Sequence, residues 1–318
     1  MPRPPFFCTL LTVCLLLGSC QNDYVAFTGY AQGGTYTVKA NLRGVATPRE
    51  EIAATIDSLL TAIDFSLSGY NRNSLLSRYN AGEAIVPDRF FSEVRALSET
   101  YREQTGGAFD AAAAPLFDIW GFGFTTDSLP EPQRIREALA ACKEETKLNF
   151  NAIAQGYTCD LVAGYLHSLG IHDMLVDIGE IFCEGRNPRG TGWSIGVDNP
   201  RDGNQEPGAE IRSIWQSDGG AHGVVTSGNY RKFYIKDGRK YAHTIDPRTG
   251  YPVTHSLLSA TIVAPTAAEA DALATACMVV GPEEARALID ARPEVEGYLI
   301  LDGGTWMSEG FAAAAREP

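Results

Sequence analysis

The sequence predicts an α+β protein built from mixed, mostly antiparallel sheets with packed helices, and three observations carry that expectation. Helical periodicities gather in the first half of the chain and short apolar runs in the second, instead of alternating one for one as a doubly wound sheet requires. Asp237-Gly238 between Lys236 and Arg239 is a hairpin signal, so the segments around Tyr234 and Tyr241 should pair antiparallel. Beyond the N-terminal segment no solenoid-period repeat and no low-complexity tract interrupts the chain, which reads as one compact unit.

The first twenty residues read as a secretory signal. Arg3 supplies the positive end, and Phe6 to Leu17 form an apolar run too short to span a bilayer comfortably. Leu17-Gly18-Ser19-Cys20 is similar to a lipobox, in which small residues precede a Cys that is acylated and becomes the mature N-terminus. Residues 1–19 are therefore expected to be a lipoprotein signal peptide, residues 20–33 a lipidated Cys and tether, and residues 34–318 the folded domain. Two acyl chains anchor firmly because each buried CH₂ contributes about 0.8 kcal/mol. The expected location is the exported side of a membrane in a bacterial cell envelope.

Further along, Thr47-Pro48 and Glu50 propose a capped helix start, and Ile52, Ile56, Leu59, Leu60 and Ile63 recur on one face. A second helix is expected over Phe90 to Gln104, stopping at Gly106, and a third over Gln155 to Leu169, stopping at Gly170. Strands follow at Met174 to Ile178, Trp193 to Val197, Ile211 to Trp215, Phe233 to Ile235 and Leu257 to Val263. Helices at Ala267 to Val279 and Pro282 to Ala291, then a strand at Tyr298 to Leu301, complete the pattern.

Composition narrows the function. With 44% hydrophobic and 20% charged residues the chain is globular, and its formal net charge of −13 excludes nucleic acid as a partner, since phosphates must be neutralised by clustered Lys and Arg. A phosphate-bearing ligand would need a metal ion, a helix N-terminus or a few placed basic groups. Of seven Cys, Cys8 and Cys14 leave with the signal and Cys20 takes lipid. Cys142, Cys159, Cys183 and Cys277 show no CxxC or His-paired spacing, which argues against zinc, and their apolar or helical contexts favour buried thiols over a disulfide.

Three clusters hold the chemistry. Thr226-Ser227-Gly228-Asn229-Tyr230 and His243-Thr244-Ile245-Asp246-Pro247-Arg248-Thr249-Gly250 are joined by the expected hairpin and so should face one another. Thr105-Gly106-Gly107-Ala108-Phe109-Asp110, ahead of Trp120 to Gly123, would let backbone approach a ligand. Thr266 and Glu269 form a capping box that fixes the next helix, placing Asp271 and Thr275 one turn apart as two hard oxygen donors for an ion such as Mg²⁺. Taken singly, each has a plain reading as turn chemistry, a helix C-cap or a surface carboxylate. No GxGxxG or Walker pattern is present.

Together these clusters resemble, in order and spacing, the FAD:protein FMN transferase family, also called ApbE-like. The resemblance also takes in Gly34-Thr35-Tyr36, Ser68-Gly69-Tyr70 through Ser74 and Ser77, Asn151 to Tyr157 and Val176-Asp177-Ile178-Gly179, so it covers nearly all of the mature chain. It implies a fold related to the T-fold, FAD in a cleft as substrate, and Mg²⁺ held by Asp271, Thr275 and the main-chain oxygen of Ala152. It further implies that Tyr70, Asp110, Gln155, Ser227, Gly228, Asn229, Tyr230 and Thr249 bind the flavin nucleotide, with His243, Asp246 and Thr249 near the reacting phosphate. The implied reaction moves FMN from FAD to a Thr or Ser hydroxyl of an exported acceptor protein, such as a subunit of a membrane redox complex, releasing AMP. His243 is the candidate general base, its side-chain type titrating near neutral pH, with Asp246 orienting it. Two departures stand out: Gln155 replaces a common Lys, and Gly179-Glu180 is one residue shorter than the usual pair of glycines before an acidic residue. FAD hydrolysis to FMN and AMP, or FAD binding without catalysis, are the alternatives at this level.

Overall fold

The computed structural model describes residues 23–123, 129–201, 204, 208–230, 233–236 and 239–318. The signal segment, Cys20 and the Asp237-Gly238 turn lie outside the described residues. In chain order the elements begin with β1 (Tyr24–Ala31), β2 (Gly34–Asn41), α1 (Arg49–Leu67), α2 (Leu75–Asn80) and α3 (Arg89–Gln104). A 3₁₀ turn over Ala111–Ala113 leads into α4 (Ala114–Ile119), α5 (Pro132–Lys143) and α6 (Ala154–Ser168). Then come β3 (Met174–Asp177), β4 (Ile181–Glu184), β5 (Ser194–Asp198), β6 (Ile211–Gln216), β7 (His222–Gly228), β8 (Phe233–Lys236) and β9 (Arg239–Ala242). The chain closes with β10 (Ile245–Asp246), β11 (Tyr251–Pro252), β12 (Leu257–Ala264), α7 (Ala267–Val280), α8 (Pro282–Asp290), β13 (Glu296–Leu301), β14 (Gly304–Met307), α9 (Glu309–Ala314) and β15 (Ala315–Arg316).

An eight-stranded sheet runs β1-β2-β3-β4-β7-β12-β13-β14, antiparallel at every step. A three-stranded sheet β15-β6-β5 and the antiparallel pair β8-β9 accompany it, as the α+β expectation required. The tether reading needs correction. Residues 24–31 form β1, because Gln32 and Gly33 both take positive φ (50° and 84°) and turn the chain so that Tyr24 pairs with Asn41 and Ala31 with Gly34. Phe27 is thereby buried at 5% exposure among the residues under α1 and α6. Helix α1 also begins later than Thr47 suggests: Pro48 is the N-cap and no side chain caps the first turn. Its apolar face is as expected, with Ile52, Ile56, Leu60 and Ile63 buried.

Helix α7 occupies the centre. Ala268, Ala272 and Ala276 face a core shared with α3, while Ala270, Leu273, Ala274 and Cys277 face one shared with β12 and β13. The helix lies almost against the sheet, since a Cβ on Gly223 of β7 would come within 2.4 Å of the Ala267 backbone. Gly223→Ala is therefore expected to lower stability by about 1–3 kcal/mol through overpacking. A reduced urea midpoint with an unchanged slope would show it; an unchanged midpoint would mean that α7 has room to shift. Cys142, Cys159, Cys183 and Cys277 are free and buried, and burial pushes the thiols of Cys142, Cys183 and Cys277 up to about 12. They are packing residues.

Candidate active site

The start of α7 is fixed twice. Thr266 Oγ1 accepts the Glu269 N–H at 3.2 Å, as its sequence position suggests, and the Asp160 carboxylate on α6 accepts the N–H groups of Ala267 and Ala268, both at 2.8 Å. Asp160 was not anticipated; a lone carboxylate between Cys159 and Leu161 on an apolar helix was the signal available. With its N-terminus held, α7 presents Asp271 and Thr275 one turn apart to a cavity of about 330 Å³.

Asp271 is only 4% exposed, and its Oδ2 accepts the Gly156 N–H at 3.1 Å where α6 crosses α7. That crossing is close because Gly156 lacks a side chain: a Cβ there would sit 2.2 Å from the Ala267 carbonyl oxygen. Burial pushes the Asp271 carboxyl well above the usual carboxylate range; the Gly156 N–H opposes that and the Asp160 charge adds to it. Among the described residues lining the cavity there are three carboxylates, Asp110, Glu180 and Asp271, one His, and no Lys or Arg. A buried carboxylate and a hydroxyl one turn on, lining one cavity with Ala152, are hard oxygen donors that fit a divalent ion such as Mg²⁺.

The second wall comes from the end of β7 and the segment after β9. Thr226, Ser227 and Gly228 belong to β7, paired with Thr261, Ala260 and Ser259 of β12, so they are strand residues and not the turn their types suggest. Thr226 Oγ1 lies 2.8 Å from Thr261 Oγ1. Thr244 donates to Asn229 Oδ1 at 2.6 Å, locking the two segments together. Helices α4 and α5 position the following turn: Trp120 Nε1 donates to the Gly250 carbonyl at 2.9 Å, and Leu116, Ile135 and Leu139 pack around Gly250, whose φ is +80°.

The sequence-derived site residues divide accordingly. Tyr70, Asp110, Ala152, Gln155, Ser227, Gly228, Tyr230, His243, Asp271 and Thr275 all line the cavity. Tyr70 is 70% exposed at its mouth. His243 sits edge-on to Phe122, ring centroids 6.4 Å apart. Asp110 also caps the 3₁₀ turn, accepting the Ala112 N–H at 2.8 Å, and burial raises its pKa against the opposing pull of that N–H and Arg102. Asn229, Asp246 and Thr249 do not line the cavity. Asn229 is buried as the Thr244 partner, the Asp246 carboxylate is held by the Arg248 backbone and guanidinium at 2.9–3.0 Å, and Thr249 Oγ1 accepts the Tyr251 N–H. Asp246 thus shapes the turn that carries the site. Glu180, Asn149, Phe117 and Met278 line the cavity without having been singled out as site residues.

The two sequence departures meet in space. Gln155 Nε2 donates to the Ile178 carbonyl at 3.2 Å and lies 2.5 Å from where a Gly179 Cβ would stand, with Gly179 at φ +93°. The shortened loop leaves the strand ends paired, Asp177 with Ile181, so a tight hairpin turns Glu180 into the cavity.

Fold and cavity together define an α+β domain whose central helix carries a carboxylate and a hydroxyl into a cleft shared with a histidine. The chain belongs to the ApbE family, whose model matches residues 33–299. It is similar to the FAD:protein FMN transferase of Klebsiella pneumoniae (strain 342), 31% identical with 96% of each chain covered. The FAD:protein FMN transferase of Vibrio cholerae is 30% identical with 97% of each covered. Among solved structures, the apo form of the Pseudomonas stutzeri flavinyl transferase ApbE superposes with a TM-score of 0.79 at 32% identity, covering 92% of this chain and 96% of that one. The flavin transferase ApbE from Vibrio cholerae gives 0.78 at 28% identity, covering 92% and 99%.

Proposed function

We propose that this protein is an FAD:protein FMN transferase that moves FMN from FAD to a Thr or Ser hydroxyl of an exported acceptor protein and releases AMP, in a Mg²⁺-dependent reaction. The observation that carries the reading is the buried Asp271 carboxylate, one turn before Thr275, in a cavity whose described lining has no Lys or Arg. A pyrophosphate brought there needs its charge neutralised by something other than a side chain. Asp271, Thr275 and the Ala152 carbonyl would hold the metal, which when bound supplies charge neutralisation for the phosphates and the leaving group.

The chain's own residues do the rest. His243 accepts the proton of the attacking acceptor hydroxyl as the oxygen–phosphorus bond forms and the bond to the AMP phosphate breaks. Ser227, Gly228 and Tyr230 form the wall that orients the flavin nucleotide, and Tyr70 at the rim bounds the approach of the acceptor. Phe117, Phe122 and Met278 give the cleft apolar surface that limits water access. Incubation with FAD and Mg²⁺, without and then with an exported acceptor, tests the assignment. AMP formed only with acceptor supports transfer; AMP without it identifies a hydrolase, and none identifies a binding protein.

The lipoprotein reading belongs to the same proposal. Acylation at Cys20 would leave residues 21–23 before β1 starts at Tyr24, a span of about 10 Å at most, so the domain would sit close against the membrane. Cys20→Ala is expected to move the protein from the membrane fraction to the soluble or precursor fraction with FAD-dependent AMP release retained. Unchanged membrane partition would remove the anchor.

A further inference from the structure

Helix α6 begins at the catalytic cavity, where Gln155 lines the wall and Gly156 meets Asp271, and ends in a different cluster. Twelve residues after Gln155, about 18 Å along the helix axis at about 1.5 Å per residue, its last turn carries His167. His167 Nε2 lies 2.5 Å from Glu184 Oε2, and His172 Nδ1 lies 3.1 Å from Glu184 Oε1, so one carboxylate joins two imidazoles. The two rings lie 5.1 Å apart, and one ligand atom from each of the three side chains falls within 4.8 Å of the others.

Each member is held by a different element. His167 is fixed by α6 and by the Phe182 ring, edge-on at 6.2 Å. His172 sits on the short connection into β3, and its neighbour Asp173 pins that connection by accepting the Arg186 N–H at 2.8 Å and the Asn41 amide at 3.1 Å. Glu184 ends β4 opposite Met174, and its own carbonyl accepts the Trp193 indole N–H at 2.9 Å. The Glu184 side chain is mostly covered while His172 is 67% exposed, so an ion from solvent has a way in.

We propose that His167, His172 and Glu184 form a second metal site, selective for a borderline divalent transition ion such as Zn²⁺ and distinct from the oxygen-donor site at Asp271. Two imidazole nitrogens and one carboxylate oxygen are the donor types that zinc takes at about 2.0–2.2 Å, whereas Mg²⁺ takes oxygen. Tetrahedral ligation places such atoms about 3.3 Å apart, and the three observed here already lie within 4.8 Å of one another. Three protein ligands leave the fourth position to water. The cysteine spacing gave no hint of zinc; the site is assembled from histidines five residues apart and a carboxylate on the neighbouring strand. An ion there ties the end of α6 to β4, whose preceding turn places Glu180 in the catalytic cavity.

Equilibrium dialysis of the tag-free mature chain against Zn²⁺, with Mg²⁺ held saturating, tests the site directly. One Zn²⁺ per chain and a raised thermal midpoint are expected. His172→Ala, which removes an exposed ring, should weaken Zn²⁺ binding by about a hundredfold or more and cancel the midpoint rise. Its transfer rate in zinc-free, Mg²⁺-containing buffer should stay that of the unaltered chain. Glu184→Gln should weaken Zn²⁺ likewise, guarding against an effect peculiar to one histidine. Zinc bound equally by both variants, or no stoichiometric zinc in the unaltered chain at micromolar Zn²⁺, would overturn the proposal and leave the cluster a hydrogen-bonded bridge only.

Discussion

Asp271→Asn is expected to uncouple FAD binding from Mg²⁺. The substitution keeps the shape and leaves an oxygen to accept the Gly156 N–H, but removes the charge that a hard cation needs. Loss of a direct ligand should weaken Mg²⁺ by more than the about 10–100-fold that an outer partner costs, and AMP release with acceptor should fall in step. Stability should move the other way. Because burial raises the Asp271 carboxyl in the folded state, its contribution is present at acidic pH and lost as pH rises through the folded-state value. In metal-free buffer above neutrality Asp271→Asn should therefore be at least as stable as the unaltered chain, while added Mg²⁺ should raise the thermal midpoint of the unaltered chain alone. Titrating Mg²⁺ against FAD binding and thermal midpoint in both proteins measures this. An identical Mg²⁺ dependence would place the metal elsewhere.

His243→Ala should separate binding from chemistry. His243 lines the cavity beside Phe122 and belongs to none of the buried hydrophobic clusters, so its loss should leave the fold intact and FAD affinity within about tenfold. Transfer should drop about a hundredfold or more, the lower range for a positioned general base. Equal losses of affinity and turnover would make His243 a positioning residue, and a normal rate would remove it from the mechanism. Asp246 gives a contrast: its carboxylate holds Arg248, so its replacement should act through the turn that carries the site, not as a partner in proton transfer.

The sequence displayed what is encoded locally. Capping at Thr266, the stop at Gly170 and the face of α1 were legible because each depends on residues within a turn or two of one another. Asn229, Thr249 and the Thr226 to Gly228 segment were read only in part, because turn-forming residue types do not reveal which strand lies alongside. Register with β12 makes Thr226 to Gly228 a strand, and the hydrogen bond from Thr244 turns Asn229 inward. Strand β1 reads as tether in the sequence because a few residues after a lipobox look like a linker until the Gln32-Gly33 turn pairs them with β2. Asp160 acts on a partner more than a hundred residues away, and no local pattern announces that.

Helix α7 has a consequence for how freely this chain tolerates change. Its alanines face packed neighbours on both flanks, Ala268, Ala272 and Ala276 one way and Ala270 and Ala274 the other, so a larger side chain meets backbone or core almost anywhere along it. In a saturation library read by a folding reporter, this stretch should be nearly closed even to other apolar residues. Asp271 and Thr275 should behave differently, accepting near-isosteric replacements in the folding reporter and failing only when flavin transfer is scored. Two positions that lose one readout, inside a run that loses both, would be the imprint of a catalytic site carried on a helix with no spare volume.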